Sequence, residues 1–416
     1  MSAPFSQKPI RRSHMQWRRL LGLLLCSLCL VLVLRQAPIA PRRATAFDEL
    51  RGVWMTDIGA ALLYYTTRLD DTIANLASLQ LNVLYPSVWN GGRTLHPSAV
   101  TGRANGMPAL WQKLPRPDPL AGLIKQAHRQ QLRLIPWFEY GLMVPPQSAI
   151  AMLHPDWLSM TRDGKHEDKT NNQAWLNPAH PEVQQFLVDL IVEVAKRYPV
   201  DGIQLDDHFG LPVAFGYDAY TVQRYRTEHG GQAPPADSAD PDWMAWRAAH
   251  LTELMNKIAQ SVRAARSTAT VSLSPNLPDF AYQNYLQDWT RWTELGLLDE
   301  VVVQVYRSQP SAFDAELANV RLQELRSAES TAKGKVRTPI AIGIYTGPFL
   351  APKSIEQVQQ QVDRVRQANY AGVSFFCWET TFWRFIRPIR EGELRFVQLR
   401  RNRTYHQASI LSKKPE

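Results

Sequence analysis

The stretch VDGIQLDDHFG, residues 200–210, closes a short apolar run on two adjacent carboxylates, Asp206 and Asp207, and an imidazole, His208. Adjacent like charges repel, and inside a protein that repulsion drives two carboxyl pKa values apart, leaving one ionised and one protonated. Acid–base chemistry needs such a pair, one group to accept a proton and one to donate it. A solvated turn can carry Asp-Asp with no such role, so the surroundings decide. Period-two alternation puts Gly202, Gln204 and Asp206 on one face of a strand and Ile203 and Leu205 on the other. With the apolar pair packed against outer helices, Asp206 points inward and Asp207 stands at the lip. Glu139 and Glu379 end other apolar runs, as further carboxylates.

Several chemistries compete for these residues. Asp206, Asp207 and His208 could serve metal-assisted hydrolysis, but there is no H-x-H or H-E-x-x-H, and ten scattered histidines form no ligand cluster. Serine acyl transfer lacks its G-x-S-x-G elbow. No Gly-rich phosphate loop follows any strand, and neither a metal nor another cofactor is expected. Glycoside hydrolysis asks for two carboxyl groups and a cleft of aromatic platforms. Trp54, Trp89, Trp137, Tyr140, Tyr306, Tyr345 and Trp378 lie at or near strand ends, and Asp57, His208, Asn276 and Glu379 add polar contacts. Part of that aromatic set is ordinary packing. The residues together fit a glycosidase, with Asp206, Asp207 and Glu139 as the catalytic candidates. The non-enzymatic alternative is a barrel that binds glycan without cleaving it, but binding alone does not need a repelling pair.

The elements that must position these groups alternate. Strand-like runs occur at 51–57, 81–89, 132–140, 201–207, 270–276, 300–308, 339–347 and 372–379. Helical patterns lie between them at 69–79, 118–130, 181–197, 241–266, 282–295, 312–328 and 354–368. Eight strands alternating with helices predict an α/β fold, a (β/α)8 TIM barrel, whose functional groups gather at the C-terminal strand ends. The chain exceeds the usual barrel length in its strand-to-helix loops, chiefly 90–117, 141–180 and 208–240. A doubly wound open sheet is the structural alternative.

The formal charge of +9 is not spread evenly. Eight basic residues and no acid precede Asp48, and the tail from Arg400 carries +4, which leaves 47–399 at −3. Nucleic-acid binding needs a basic stripe on the body itself, so no nucleic-acid partner is expected. Arg11, Arg12, Arg18 and Arg19 precede a 15-residue apolar run, residues 20–34. That run suits a signal peptide or an uncleaved signal anchor, either of which implies export to the periplasm or cell envelope. Membrane contact is then expected only through this segment, if uncleaved. Residues 1–46 are read as leader and linker, 47–399 as the barrel and 400–416 as a basic tail. Only Cys377 of three cysteines lies in the body, so no disulfide can form there.

RGVWMT (51–56), LNVLYPSVWNGG (81–92), WLNPAHPEV (175–183) and VDGIQLDDHF (200–209) resemble the bacterial glycosyl-hydrolase-like family ten. The resemblance covers most of 47–390. It implies a (β/α)8 barrel, export, and action on cell-envelope glycans, with some relatives cleaving peptidoglycan strands stripped of peptides. WFEYGLM after the third strand departs from the W-x-N-P-type ending of the better-known pattern. The acidic pair is also similar to that of substrate-assisted N-acetylhexosaminidases, in which the 2-acetamido oxygen of the sugar is the nucleophile. By that likeness Asp206 holds the acetamido N–H and Asp207 is the acid, then the base. The rival assignment makes Asp206 the nucleophile and Glu139 the acid. Strand seven ends in GIYTG, with no carboxylate.

Overall fold

The computed structural model describes residues 21–27, 49–66, 68–107, 117–168, 170–327, 338–347 and 353–380. Eight parallel strands form the sheet: β1 (Leu50–Met55), β2 (Val83–Pro86), β3, β4 (Gly202–Asp206), β5 (Thr270–Ser274), β6 (Glu300–Gln304), β7 (Ile340–Tyr345) and β8 (Gly372–Phe376). The third comes in two pieces, Arg133–Leu134 and Trp137–Phe138, on either side of Ile135-Pro136. Proline has no N–H to give the ladder, which accounts for the break. The first piece pairs with β2 and the second with β4. The sheet order therefore begins and ends on the same strand, and the sheet closes into a barrel.

Around it run α1 (Leu69–Ser78), α2 (Pro119–Arg129), α3 (Pro181–Arg197), α4 (Pro241–Ala265), α5 (Trp289–Glu294), α6 (Val320–Ser327) and α7 (Ile355–Gln367). Their starts are encoded locally. Asp118 and Asp240 cap α2 and α4 just before a first-turn proline, and Ser354 with Gln357 makes a capping box on α7. Outward residues such as Val53, Ile203, Leu205 and Val303 bury against these helices. Leu50, Trp54, Val83, Tyr85, Ile135, Trp137, Val302, Ala341 and Cys377 fill the barrel interior.

The structure differs from the sequence reading in detail. The second strand stops at Pro86, and Trp89–Asn90 pairs antiparallel with Arg93–Thr94 in a separate hairpin. The stretch 282–295 divides into Pro278–Tyr285 and α5, broken at Leu286, which sits in the left-handed region at φ 54°. The stretch 312–328 divides into Pro310–Leu317 and α6. Leu21–Ser27 is helical, with its leucines exposed; the rest of residues 1–46, expected as leader and linker, and residues 400–416, expected as a tail, lie outside the described residues. Among the described residues no helix is long and apolar enough to cross a membrane.

Candidate active site

The register of β4 is fixed from within the barrel. Gln204 accepts a hydrogen bond from Trp54 Nε1 at 2.7 Å and donates to Ser272 Oγ at 3.0 Å, both fully buried. Two residues on, the same face delivers Asp206 to the mouth of the barrel. Its side chain is 3% exposed, against 21% for Asp207. Gln304, the last residue of β6, binds both carboxylates: its Nε2 donates to Asp206 Oδ1 at 2.8 Å and to Asp207 Oδ1 at 3.2 Å. Asn276, just past β5, donates to Asp207 Oδ2 at 2.8 Å. Gln287 donates to the backbone carbonyls of Asp206 and Phe209 at 3.0 and 2.9 Å, which sets the turn itself.

His208 turns back over the pair. Its Nδ1 lies 3.0 Å from the Glu139 carbonyl oxygen and 3.6 Å from both Asp206 Oδ2 and Asp207 Oδ1. A carbonyl only accepts, so Nδ1 carries a proton. The ligating atoms of Asp206, Asp207 and His208 lie within 4.8 Å of one another, close enough to surround a cation. The Nδ1–H is directed at the Glu139 carbonyl, and the Gln304 amide aims N–H groups at both carboxylates.

The electrostatics follow from this packing. Burial and the Asp207 charge push the Asp206 carboxyl well above its ordinary range, against the pull of His208. Burial opposes a charge on His208, but Asp207 and Asp206 outweigh it and raise its pKa to about 10. An imidazolium therefore covers the pair at neutral pH. Burial also raises Glu139, drawn back in part by its polar neighbours; Asn90 Nδ2 donates to its Oε2 at 2.8 Å.

The barrel mouth gathers most of the residues singled out from the sequence. Tyr140 stands 6.1 Å from His208, ring centre to ring centre. Tyr306 and Tyr345 lie 5.6 Å apart on the opposite side. Trp54 and Trp137, 6.4 Å apart, form the floor. Asp57 opens the helix Asp57–Tyr65 directly after β1, near enough for its charge to be felt at Glu139 and Tyr140. Glu379 accepts from Thr56 N at 2.8 Å and Thr56 Oγ1 at 2.7 Å, tying the end of β8 to that of β1.

Two expected platforms need correction. Trp89 is fully buried outside the barrel, edge-on to Phe186, with its indole N–H on the Gly141 carbonyl. Trp378 is buried in the same outer layer, because alternation lapses after Phe376 and Cys377 takes the inward place. Gln304 and Phe376 were missed. The ring of Phe376 lies within 6.3 Å of those of Tyr306, Tyr345, Trp54 and Trp137. Alternation backward from Tyr306 places Gln304 inward, so the signal was present.

Fold and site together define a class: a (β/α)8 barrel with paired carboxylates at the end of its fourth strand. The model of the family Glycosyl hydrolase-like 10 matches residues 49–365, and the chain belongs to that family. Over 267 residues it is 25% identical to Glycosyl hydrolase DigH of Escherichia coli (strain K12), covering 57% of each chain. Over 291 residues it is 24% identical to Glycosyl hydrolase YngK of Bacillus subtilis (strain 168), covering 62% of this chain and 54% of that one. The chain thus spans little more than half the length of these curated relatives. Among solved structures, the glycoside hydrolase domain of PgaB (BpsB) from Bordetella bronchiseptica superposes with a TM-score of 0.62 at 16% identity, over 85% of this chain and 100% of that one. Alpha-L-fucosidase isoenzyme 2 from Paenibacillus thiaminolyticus gives 0.56 at 12% identity, over 89% and 49%. At such identities the likeness establishes the barrel.

Proposed function

We propose that this protein is an exported glycoside hydrolase that cleaves an N-acetylated glycan of the cell envelope, with peptidoglycan glycan strands as the substrate. The observation that carries this reading is the Asp206–Asp207 pair held by one Gln304 amide under His208. A binding site gains nothing from setting a buried carboxyl against a second, repelling one, whereas glycosidic bond cleavage requires an acid and a base within one cleft. Family membership supports the reaction class, and the aromatic walls suit sugar rings.

The two carboxyls divide the work by depth. Asp207, at the lip, reaches the leaving-group oxygen; Asp206, deeper, receives the substrate's acetamido N–H. In the resting pair the proton lies on buried Asp206. An N–H donor arriving there favours its ionised form and moves the proton to Asp207, which becomes the acid. As the acetamido oxygen attacks the anomeric carbon, the glycosidic C–O bond breaks and Asp207 protonates the departing oxygen, leaving an oxazolinium ring whose N–H stays bonded to the Asp206 carboxylate. Asp207 then takes a proton from water, which opens the ring and restores the acetamide.

Incubation of the protein with glycan strands should release new reducing ends. Asp206→Asn and Asp207→Asn should each lower turnover by about 10²–10⁴-fold. Full activity in both removes the pair from the reaction. A thiazoline mimic of the oxazolinium ring should inhibit strongly, because ligands resembling reaction intermediates bind more tightly than substrates. A covalent adduct on Asp206 with a 2-fluoro sugar would instead make that carboxylate the nucleophile and Glu139 the acid. Export rests on the basic region and the apolar run of the leader. A reporter fused after residue 60 should be active outside the inner membrane, and activity confined to the cytoplasm contradicts it.

A further inference from the structure

Beyond the acidic pair, a line of aromatic rings leaves the barrel mouth on the side of His208. Trp175 lies 6.3 Å from His208, Tyr285 lies 5.9 Å from Trp175, and Phe280 lies 6.1 Å from Tyr285, ring centre to ring centre. Trp175 is fully buried, Tyr285 is half-buried, and Phe280 is 48% exposed. The succession of contacts therefore runs from a buried ring to one exposed at the surface. The carboxylates of Asp207 and Asp168 both make themselves felt at the Tyr285 hydroxyl. Asp168 in turn lines a crevice of about 270 Å³ between the loop after β3 and residues Ala214–Tyr217.

The wall is indexed to the acidic turn by backbone. Leu211 N donates to the Tyr285 carbonyl at 2.8 Å and Val213 N to that of Asn284 at 3.0 Å. Gln287 holds the Asp206 and Phe209 carbonyls from the same segment. A β-carbon on Gly210 would come within 2.8 Å of the Tyr285 oxygen, so the close approach depends on glycine there. Rings fixed at set distances from a catalytic pair, with carboxylates flanking them, are what a ligand needs when its apolar faces alternate with hydroxyl groups.

We propose that Tyr285 and Phe280, backed by Trp175, form a subsite that stacks a pyranose ring of the glycan remote from the bond cleaved and leads the chain toward the Asp168 crevice. The inference rests on the glycosidase reading for its ligand class, but its test does not depend on turnover. Binding energy collected there would hold a long glycan in register over Asp206 and Asp207, which remote contacts can convert into rate.

The experiment measures, by calorimetry, the affinities of N-acetylglucosamine hexamer and dimer for the full chain carrying Asp207→Asn, with and without Phe280→Ala. The expected result is a hexamer-to-dimer affinity ratio that falls at least fivefold in Phe280→Ala and returns with Phe280→Tyr. Phe280 is exposed, so its loss spares the core, and thermal melting of each variant verifies folding. An unchanged ratio, a ratio not restored by tyrosine, or no binding of either oligosaccharide overturns the subsite. If the wild type cleaves no glycan while the ratio still falls, the subsite stands and the glycosidase reading fails. If it cleaves glycan while the ratio is constant, the reverse holds.

Discussion

At Asp206 the barrel holds a carboxyl where ionisation is opposed by burial and by Asp207. A carboxyl raised above its unfolded value of 3.8 contributes stability that is complete below that value and is lost as pH rises through the folded one. Asp206→Asn keeps the shape without the charge. It should raise the thermal midpoint at pH 7 by about 1–2 °C, the shift that roughly 1 kcal/mol gives in a domain of this size at about 2 cal/mol/K per residue. The gain should close as pH falls toward 4, where the carboxyl of the unfolded chain is protonated as well; a loss of stability at pH 7 contradicts the assignment. At this scale the sequence told most about Asp206 itself, since alternation along β4 fixed its direction. It told least about partners. Gln304 lies in EVVVQVYR, a run that reads as a buried strand, and only closure of the barrel sets its amide across from the fourth strand.

Among the elements, the loop after β3 matters most to the site. Gly141 adopts φ +50°, and a β-carbon there would come within 2.6 Å of Phe209 N and 2.7 Å of the His208 carbonyl. The bare backbone lets Leu142 N bond the His208 carbonyl at 3.1 Å, so this loop seats the imidazole over the pair. Gly141→Ala should cost about 1–3 kcal/mol from the left-handed backbone alone. Pushing His208 away should also lower turnover at least tenfold; denaturant melts and reducing-end release measure the two. Wild-type values for both would show that the loop yields. The alternation of strands and helices was legible because each repeats its own period. The split of β3 and the early end of β2 were not, since the polar ending of a strand and the start of a hairpin look alike in WNGG. Trp89 was misplaced for that reason.

For the molecule as a whole, the body's charge of −3 beside basic ends separates the barrel from whatever the ends contact. Cys377 is buried, and burial pushes its thiol up to about 12, so the barrel carries no reactive thiol among its described residues. Closure of the barrel runs through one joint, the two short pieces of β3, whose pairing with each neighbour is as brief as that of β5 with β6. Val83 and Leu84 pair with the first piece, and Gln204 and Leu205 with the second, which Ser87 also bridges at Trp137, whereas β7 and β8 match over four residues. In hydrogen-exchange terms that joint should open before the longer β6–β7 and β7–β8 pairings, since local opening begins where fewest bonds must break together. The amides of Ile135 and Gln204, bonded to the Leu84 and Pro136 carbonyls, should exchange before those of Val303 and Ile342 across the barrel. Equal protection on both sides would show a ring that opens only as a unit. Gln204 stands two residues before Asp206, so a glycan gripped at the mouth should slow exchange at the joint, and occupancy of the site could be read from amides that never touch the sugar.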